Sequence, residues 1–317
     1  MTTPWLTRMR HSAEYLLVTC IAVAVRPFSM AAVRRSGEAI GRLAYRLAGS
    51  RRRIALDNLA RAMPELSAGE RERIVQGVFE HFARMILELL RFGSLTRDDM
   101  LARIEIEGEE HVQRAYAAGK GLIFFSAHFG YWEMQGLANP LCWRPISVMA
   151  RPLDNPRLHE MLERIRTMTG NSVIYRQGAV RKVLRSLAAN SGVAILIDQH
   201  LQSPDAVLVE FFGRPAATSS MIAALAARTG AAVLPAFGGP LPGGRYRFVY
   251  ESPIDPPADA SPESLRDFTQ RCSDRIEARV REHPDLWLWV HRRWRDPDAA
   301  RGAEPPSVAQ LEEEPRA

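Results

Sequence analysis

Apolar residues in the first third of the chain recur at helical spacing. Between Arg51 and Met63 (RRRIALDNLARAM), Ile54, Leu56, Leu59 and Met63 recur near helical spacing and Pro64 stops the run, which predicts a helix. Ser67 followed by Glu70 is a capping-box pair. It opens a longer amphipathic helix, SAGERERIVQGVFEHFARMILELLRF, whose stripe of Ile74, Val78, Phe82, Met85 and Leu89 faces a core. After Glu107 the pattern changes. Short apolar runs, GLIFF at 121, ISVMA at 146, VAILID at 193, AAVLPAF at 231 and YRFVYE at 246, alternate with the helical stretches NPRLHEMLERIRTMTG and QGAVRKVLRSLAANSG. Strands alternating with helices predict an α/β fold, a mostly parallel or mixed central sheet flanked by helices.

The N-terminus departs from this pattern. Tyr15 to Val25 (YLLVTCIAVAV) is uncharged and apolar, but as a helix it spans only about 16 Å, roughly half of a bilayer core. Arg26 and Pro27 interrupt it, FSMAAV continues it, and Arg34, Arg35, Arg42, Arg46, Arg51, Arg52 and Arg53 come after. An uncleaved membrane-associated helix is expected, spanning or interfacial, with the rest of the chain on the cytoplasmic side. Residues 1–50 then form an anchor with its basic flank and residues 51–295 the main folded domain. Residues 296–317, low in large apolar side chains and broken by prolines, form a disordered tail.

Composition narrows the function classes. The 317 residues, 46% hydrophobic and 25% charged, are those of a globular protein with a sizeable core. Cys20, Cys142 and Cys272 are odd in number and widely scattered, so neither a disulfide framework nor a zinc site is expected. A net charge of +6 suits anionic partners, whether nucleic acid, lipid surface or acidic substrate. No helix-turn-helix spacing, RNP motif or basic helix interleaved with aromatics supports nucleic acid.

The chemistry-bearing stretch is GLIFFSAHFGYWEMQ at 121–135. Within one helix His128 and Glu133 would stand about 140° apart and not meet. If GLIFF is a strand, the next residues a turn and Tyr131 onward a helix, the turn brings Glu133 back toward His128. A histidine beyond a strand's carboxyl end lies where α/β sheets bind ligands. A carboxylate on its second ring nitrogen would fix the tautomer and stabilise the imidazolium as a proton arrives. Ser126 lacks a G-x-S-x-G elbow, so a serine triad is not expected. His81 and His111 have no partner at useful spacing and read as structural or exposed. Asp198 with His200 lacks a third metal ligand.

His128-FGYW-Glu133 matches the His-x4-Asp/Glu signature of the bacterial lipid A biosynthesis acyltransferases, the lauroyl and myristoyl transferases of the lysophospholipid acyltransferase superfamily. The chain also resembles that family, in order, at MARPLDNPRLHEMLERIR, ILIDQH, VEFFGRPAATSSMIAALAARTGAAVLP and HPDLWLWVHRRWR. Tyr131 departs from it, many relatives having Asn there. The resemblance implies a glycerolipid acyltransferase-like fold. It also implies transfer of an acyl chain from acyl carrier protein to a hydroxyl of a lipid A precursor at the cytoplasmic face of the inner membrane, with no metal, cofactor or acyl-enzyme. A lysophospholipid, aminolipid or mannosylated phosphatidylinositol acceptor, and acyl-CoA as donor, stay open. Under this resemblance His128 is the base and Glu133 its orienting carboxylate. Arg151, Asn155, Arg166, Asp198, Gln199, Phe212 and Arg214 bind substrate, Arg151 through phosphate or the developing oxyanion. Trp287, Trp289 and Trp294, beside His291, Arg292 and Arg293, suit a headgroup interface.

Overall fold

The computed structural model describes residues 4–175, 178–203 and 206–295; the tail expected over 296–317 lies outside them. Four helices come first: α1 (Pro4–Ala24), α2 (Met30–Leu47), α3 (Gly49–Ala62) and α4 (Ala68–Phe92). The last two stand where helical spacing placed them. At the start of α4 the Ser67 hydroxyl accepts from the Glu70 N–H and the Glu70 carboxylate accepts from the Ser67 N–H at 2.8 Å, so two otherwise free donors are satisfied.

Helix α2 meets α4 backbone to backbone. Gly37 and Gly41, four apart and hence on one face, leave no room for a side chain. A Cβ on Gly41 would stand 2.4 Å from Glu80 Cα, and one on Gly37 2.5 Å from Arg84 Cα. Helix α1 docks elsewhere, its His11 carbonyl and Glu14 carboxylate accepting from the Asn155 amide at 2.8 and 2.9 Å. Among the described residues no helix is long and apolar enough to cross a membrane. Trp5, Met9, Leu16 and Leu17 of α1 and Ile40, Leu43 and Leu47 of α2 are nonetheless exposed.

The sheet comes next. The order along the chain is α5 (Arg97–Leu101), β1 (Ile104–Glu107), α6 (Glu109–Ala117), β2 (Leu122–Ser126), α7 (Trp132–Cys142), β3 (Ile146–Met149), α8 (Pro156–Thr167) and β4 (Ser172–Ile174). Then come α9 (Ala179–Ala188), β5 (Gly192–Leu196), β6 (Ala206–Phe211), β7 (Arg214–Ser219), α10 (Met221–Thr229), β8 (Ala232–Leu241), β9 (Arg245–Tyr250) and α11 (Pro262–Glu282). Seven strands lie in the order β1-β9-β8-β2-β5-β3-β4, every neighbouring pair parallel except β8 with β9; β6 and β7 form a separate hairpin. The expected mostly parallel sheet flanked by helices is what forms.

Strand alternation divides the core in two. Leu122 and Phe124 of β2 pack on one face with Met134, Leu137, Tyr246 and Phe248, while Ile123 and Phe125 pack on the other with Val183, Leu225, Phe268 and Ile276. Strand β2, paired on both sides, is buried throughout, and its carboxyl end therefore delivers the next residues to a fixed place.

The α2–α4 contact has a direct consequence for stability. Gly41→Leu forces the helices apart, and overpacking of this kind costs about 1–3 kcal/mol. A chain of this size should then lose at most roughly 2–4 °C of melting temperature per kcal/mol. Gly49→Ala, which meets open space, should leave the melting temperature unchanged. Calorimetry of the two variants checks this, and equal melting temperatures would refute the close contact.

Candidate active site

Strand β2 ends at Ser126, a turn carries residues 127–131, and α7 starts at Trp132, the expected strand–turn–helix order. Gly130 adopts φ +56°, and a Cβ there would lie 1.7 Å from the Gly238 carbonyl oxygen, so only glycine lets the turn approach β8 this closely. The turn is held on every side. The Gly238 carbonyl accepts from Tyr131 N–H at 3.0 Å, the Leu286 carbonyl from Gly130 N–H at 2.9 Å, and the His128 carbonyl from Leu288 N–H at 3.1 Å.

His81 holds it from α4. Its Nδ1 accepts from Arg84 at 3.4 Å, so its Nε2 carries the hydrogen and donates to the Gly130 carbonyl at 3.1 Å. Burial, and the charge of Arg84, press its pKa down to about 3, so it stays neutral. Of the two readings of His81, structural or exposed, the structure shows the first.

The carboxylate on His128 is Asp198, not Glu133. Asp198 lies two residues beyond β5, the parallel neighbour of β2, so the two side chains meet across adjacent strand ends. Its Oδ1 is 2.8 Å from His128 Nδ1, and its Oδ2 accepts from the His128 backbone N–H at 2.9 Å and the Trp287 indole N–H at 2.8 Å. Burial alone would raise the Asp198 carboxyl, but the charge and hydrogen bonds of His128 and the Trp287 bond outweigh it and hold the pKa at about 2. Burial opposes a charged His128 ring; Asp198 first and Glu133 second overcome this and lift the pKa above its ordinary value, with Arg166 pulling the other way. With Nδ1–H given to Asp198, Nε2 is the basic nitrogen, and the Gln199 amide nitrogen lies 3.3 Å from it.

Glu133, in the first turn of α7, forms a two-pronged ion pair with Arg166 of α8, Nε to Oε2 at 2.9 Å and Nη2 to Oε1. The helix turns Glu133 toward α8 rather than back over the imidazole, so its effect on His128 is electrostatic. Both residues, with His128 and Gln199, line a cavity of about 1040 Å³. Its other walls come from α7, from sheet residues such as Phe124, Val148 and Ala194, and from Met221 and Ala224 of α10.

The remaining expected site residues divide. Arg151 reaches the cavity rim, 89% exposed and 3.8 Å from an equally exposed Asp154, so it is a solvated cation at the mouth. Asn155 does not line the cavity. It caps α8, its Oδ1 accepting from the Arg157 and Leu158 N–H groups, while its amide is spent on α1. Phe212 turns the β6–β7 hairpin at φ +55° and packs on Trp289 and Trp294; neither it nor Arg214 lines the cavity. Ser126 Oγ is buried without a hydrogen-bond partner. Among the described residues no three His, Cys, Asp or Glu converge to hold a metal.

The tryptophans are not a headgroup surface. Trp287 and Trp289 are fully buried and Trp294 partly, in one aromatic cluster with Phe211 and Phe212. Buried Arg293 donates to the carbonyls of Gln199 at 3.2 Å and Ala217 at 2.7 Å, and so holds the loop beyond Asp198. Periodicity could not assign Trp287 or Arg293 these tasks. The only signal was the density of Trp in an apolar run, which also fits plain packing.

This geometry predicts which carboxylate controls the base. In His128→Ala the rate should fall about 100 to 10,000-fold. A histidine acting as general base must be neutral, so kcat/KM should rise with pH through a midpoint above 6.5. Asp198→Asn removes the largest influence raising that pKa, so the acid limb should move to lower pH as the rate falls; Glu133→Gln should move it less. Initial rates against pH decide, and a larger shift in Glu133→Gln would return the orienting role to Glu133.

Comparison with known proteins identifies the family. A family described as bacterial lipid A biosynthesis acyltransferase matches residues 3–296. The lipid A biosynthesis lauroyltransferase of Escherichia coli is 26% identical over 92% of this chain and 92% of its own. The phosphatidylinositol mannoside acyltransferase of Mycobacterium tuberculosis is 26% identical over 75% of each chain. Among solved structures, a 1-acyl-sn-glycerophosphate acyltransferase from Thermotoga maritima aligns over 84% of this chain and 97% of its own at 17% identity and a TM-score of 0.36. On the match across nearly its whole length, the chain belongs to the bacterial lipid A biosynthesis acyltransferase family.

Proposed function

We propose that the protein moves a fatty acyl chain from acyl carrier protein to a hydroxyl of a lipid A precursor, at the cytoplasmic face of the bacterial inner membrane. Family membership carries acyl transfer to a lipid acceptor. The observation supporting the chemistry is His128, its Nδ1 bound behind to Asp198 and its Nε2 side in the wall of a large, mostly apolar cavity. The acceptor hydroxyl takes the place of the Gln199 amide at Nε2 and gives its proton to that nitrogen. Its oxygen bonds to the thioester carbonyl carbon, whose oxygen becomes the oxyanion. Collapse breaks the carbon–sulfur bond, and the leaving thiolate recovers the proton from His128. Asp198 stabilises the imidazolium between the two transfers.

Two groups suit the oxyanion: the Gln199 amide freed from Nε2, and the Arg166 guanidinium, whose Glu133 pairing fixes its direction at the cavity wall. Arg151 at the rim, with no tight partner, suits a phosphate on carrier or acceptor. Exposed Ile40, Leu43 and Leu47 of α2 alternate with exposed Arg35, Arg42 and Arg46, a mixture that suits a helix lying at an anionic lipid surface.

A second acceptor has support of its own. The phosphatidylinositol mannoside acyltransferase is 26% identical to this chain, as the lauroyltransferase is, though over 75% of it against 92%, so a mannosylated lipid is the competing acceptor. Purified protein, acyl carrier protein loaded with a labelled chain, and each acceptor in detergent should yield acylated lipid A precursor, seen as one added acyl mass. Transfer only to the mannoside, or only from acyl-CoA, would overturn the acceptor or donor assignment.

A further inference from the structure

One helix at the cavity mouth carries a cationic face that no neighbouring acid answers. Helix α9 follows β4, the parallel neighbour of β3, so it starts at the same sheet edge from which Arg151 leaves β3. Its first two residues, Ala179 and Val180, line the cavity. Ala179, Val183 and Leu187 are buried, and Arg181, Lys182 and Arg185 are exposed. At about 100° per residue the three cations fall within one sector roughly 100° wide, on the side away from the core. None of the three has an ion-pair partner among the described residues. The sequence itself carries no Asp or Glu between Glu163 and Asp198.

This arrangement works against the helix. Arg181 and Lys182 sit in the first turn, where the dipole repels cations, and Arg181 faces Arg185 one turn farther on. Helices α8 and α11 instead pair such arginines along their own length, Arg164 with Glu160 and Arg281 with Glu277. An unpaired cationic face beside a cavity attracts an anionic partner to it. Two anionic surfaces come to this mouth under the proposed reaction, the lipid bilayer and the carrier of the acyl donor. The exposed large apolar side chains that insert into a bilayer lie mainly on α1 and α2, while α9 exposes only Val180, which lines the cavity. A face of cations without apolar neighbours suits the folded surface of an acidic protein.

We propose that the outer face of α9, formed by Arg181, Lys182 and Arg185, docks the donor's carrier protein through an acidic surface beside its acyl-bearing arm. Ala179 and Val180 then mark the place where that arm turns into the cavity. The proposal rests on the acyltransferase reading and adds where the donor is held. The three cations steer association and set KM for the carrier without touching the reacting atoms.

Two donors with the same acyl chain test it: the acyl carrier protein thioester, and the pantetheine thioester, which keeps the reacting end and lacks the protein. Purified full-length protein in detergent is given each with one fixed acceptor. In the triple variant Arg181→Glu, Lys182→Glu, Arg185→Glu, kcat/KM for the carrier donor should fall at least about 10-fold, through KM, and that for the pantetheine thioester less than about 2-fold. In wild type the carrier's advantage over the pantetheine thioester should shrink as salt rises. Arg185→Gln changes one exposed side chain and should weaken use of the carrier donor alone, several-fold, which covers the case in which the triple variant does not fold. No loss with the carrier donor, or equal losses with both donors in both variants, would overturn the docking face. A defect confined to anionic phospholipid vesicles and absent in detergent would give α9 to the lipid surface and overturn the carrier assignment, as would a wild type that accepts only acyl-CoA. Calorimetric titration with acyl carrier protein reads docking without turnover. Binding that the triple variant loses, in a wild type that transfers from no donor, would sink the acyltransferase reading and leave the docking face standing.

Discussion

The site depends on one buried carboxylate. Asp198 accepts from the His128 ring, the His128 backbone and the Trp287 indole, and these three bonds connect the end of β5, the turn after β2 and the C-terminal segment. A buried carboxylate is costly unless its oxygens are occupied. Its cost is thus what makes the three segments arrive together. Arg293 secures the loop just beyond it, and His81 fixes the turn from the opposite side. His128 is positioned by tertiary contacts from four parts of the chain, not by the local stretch that contains it.

That explains which parts were legible in the sequence. Strands β2, β3, β5, β8 and β9 are apolar enough to read as buried runs, and the α4 capping box is a local pattern with a local cause. β1 and β4 are short edge strands, and β6 and β7 pair only with each other in a hairpin, so burial left a weaker mark on them. His128 was recognisable from its place after a buried strand. Its partner was not, because nothing in the spacing of His128 and Glu133 reveals that α8 presents Arg166 to Glu133. Asp198 closes the apolar run VAILID, but its task depends on β2 and β5 being neighbours, a fact of sheet order. Asn155, a polar residue within a family-like block, caps α8 and docks α1, tasks that spacing does not reveal.

Tyr131, the departure from the family's usual asparagine, sits in the same framework. Its hydroxyl accepts from Arg84 Nε at 3.1 Å, and Arg84 also pairs with Glu38 of α2 at 3.2 Å. Glu88, fully buried, binds the Tyr246 hydroxyl at 2.6 Å and Arg34 at 3.3 Å. A buried polar network therefore runs from α2, whose outer face carries exposed Ile40, Leu43 and Leu47, through α4 to the turn that carries His128. The helices at the N-terminus are structurally continuous with the site and not merely appended to it.

The central claim is that Asp198, through Nδ1, sets the tautomer and basicity of His128. Nitrogen-15 NMR of ring-labelled protein across pH measures both at once. The Nδ1–H tautomer should dominate in the neutral ring, with a pKa above the ordinary 6.5, and Asp198→Asn should lower that pKa while Glu133→Gln leaves the tautomer in place. An Nε2–H tautomer in wild type, or a His128 pKa indifferent to Asp198→Asn, would contradict the account.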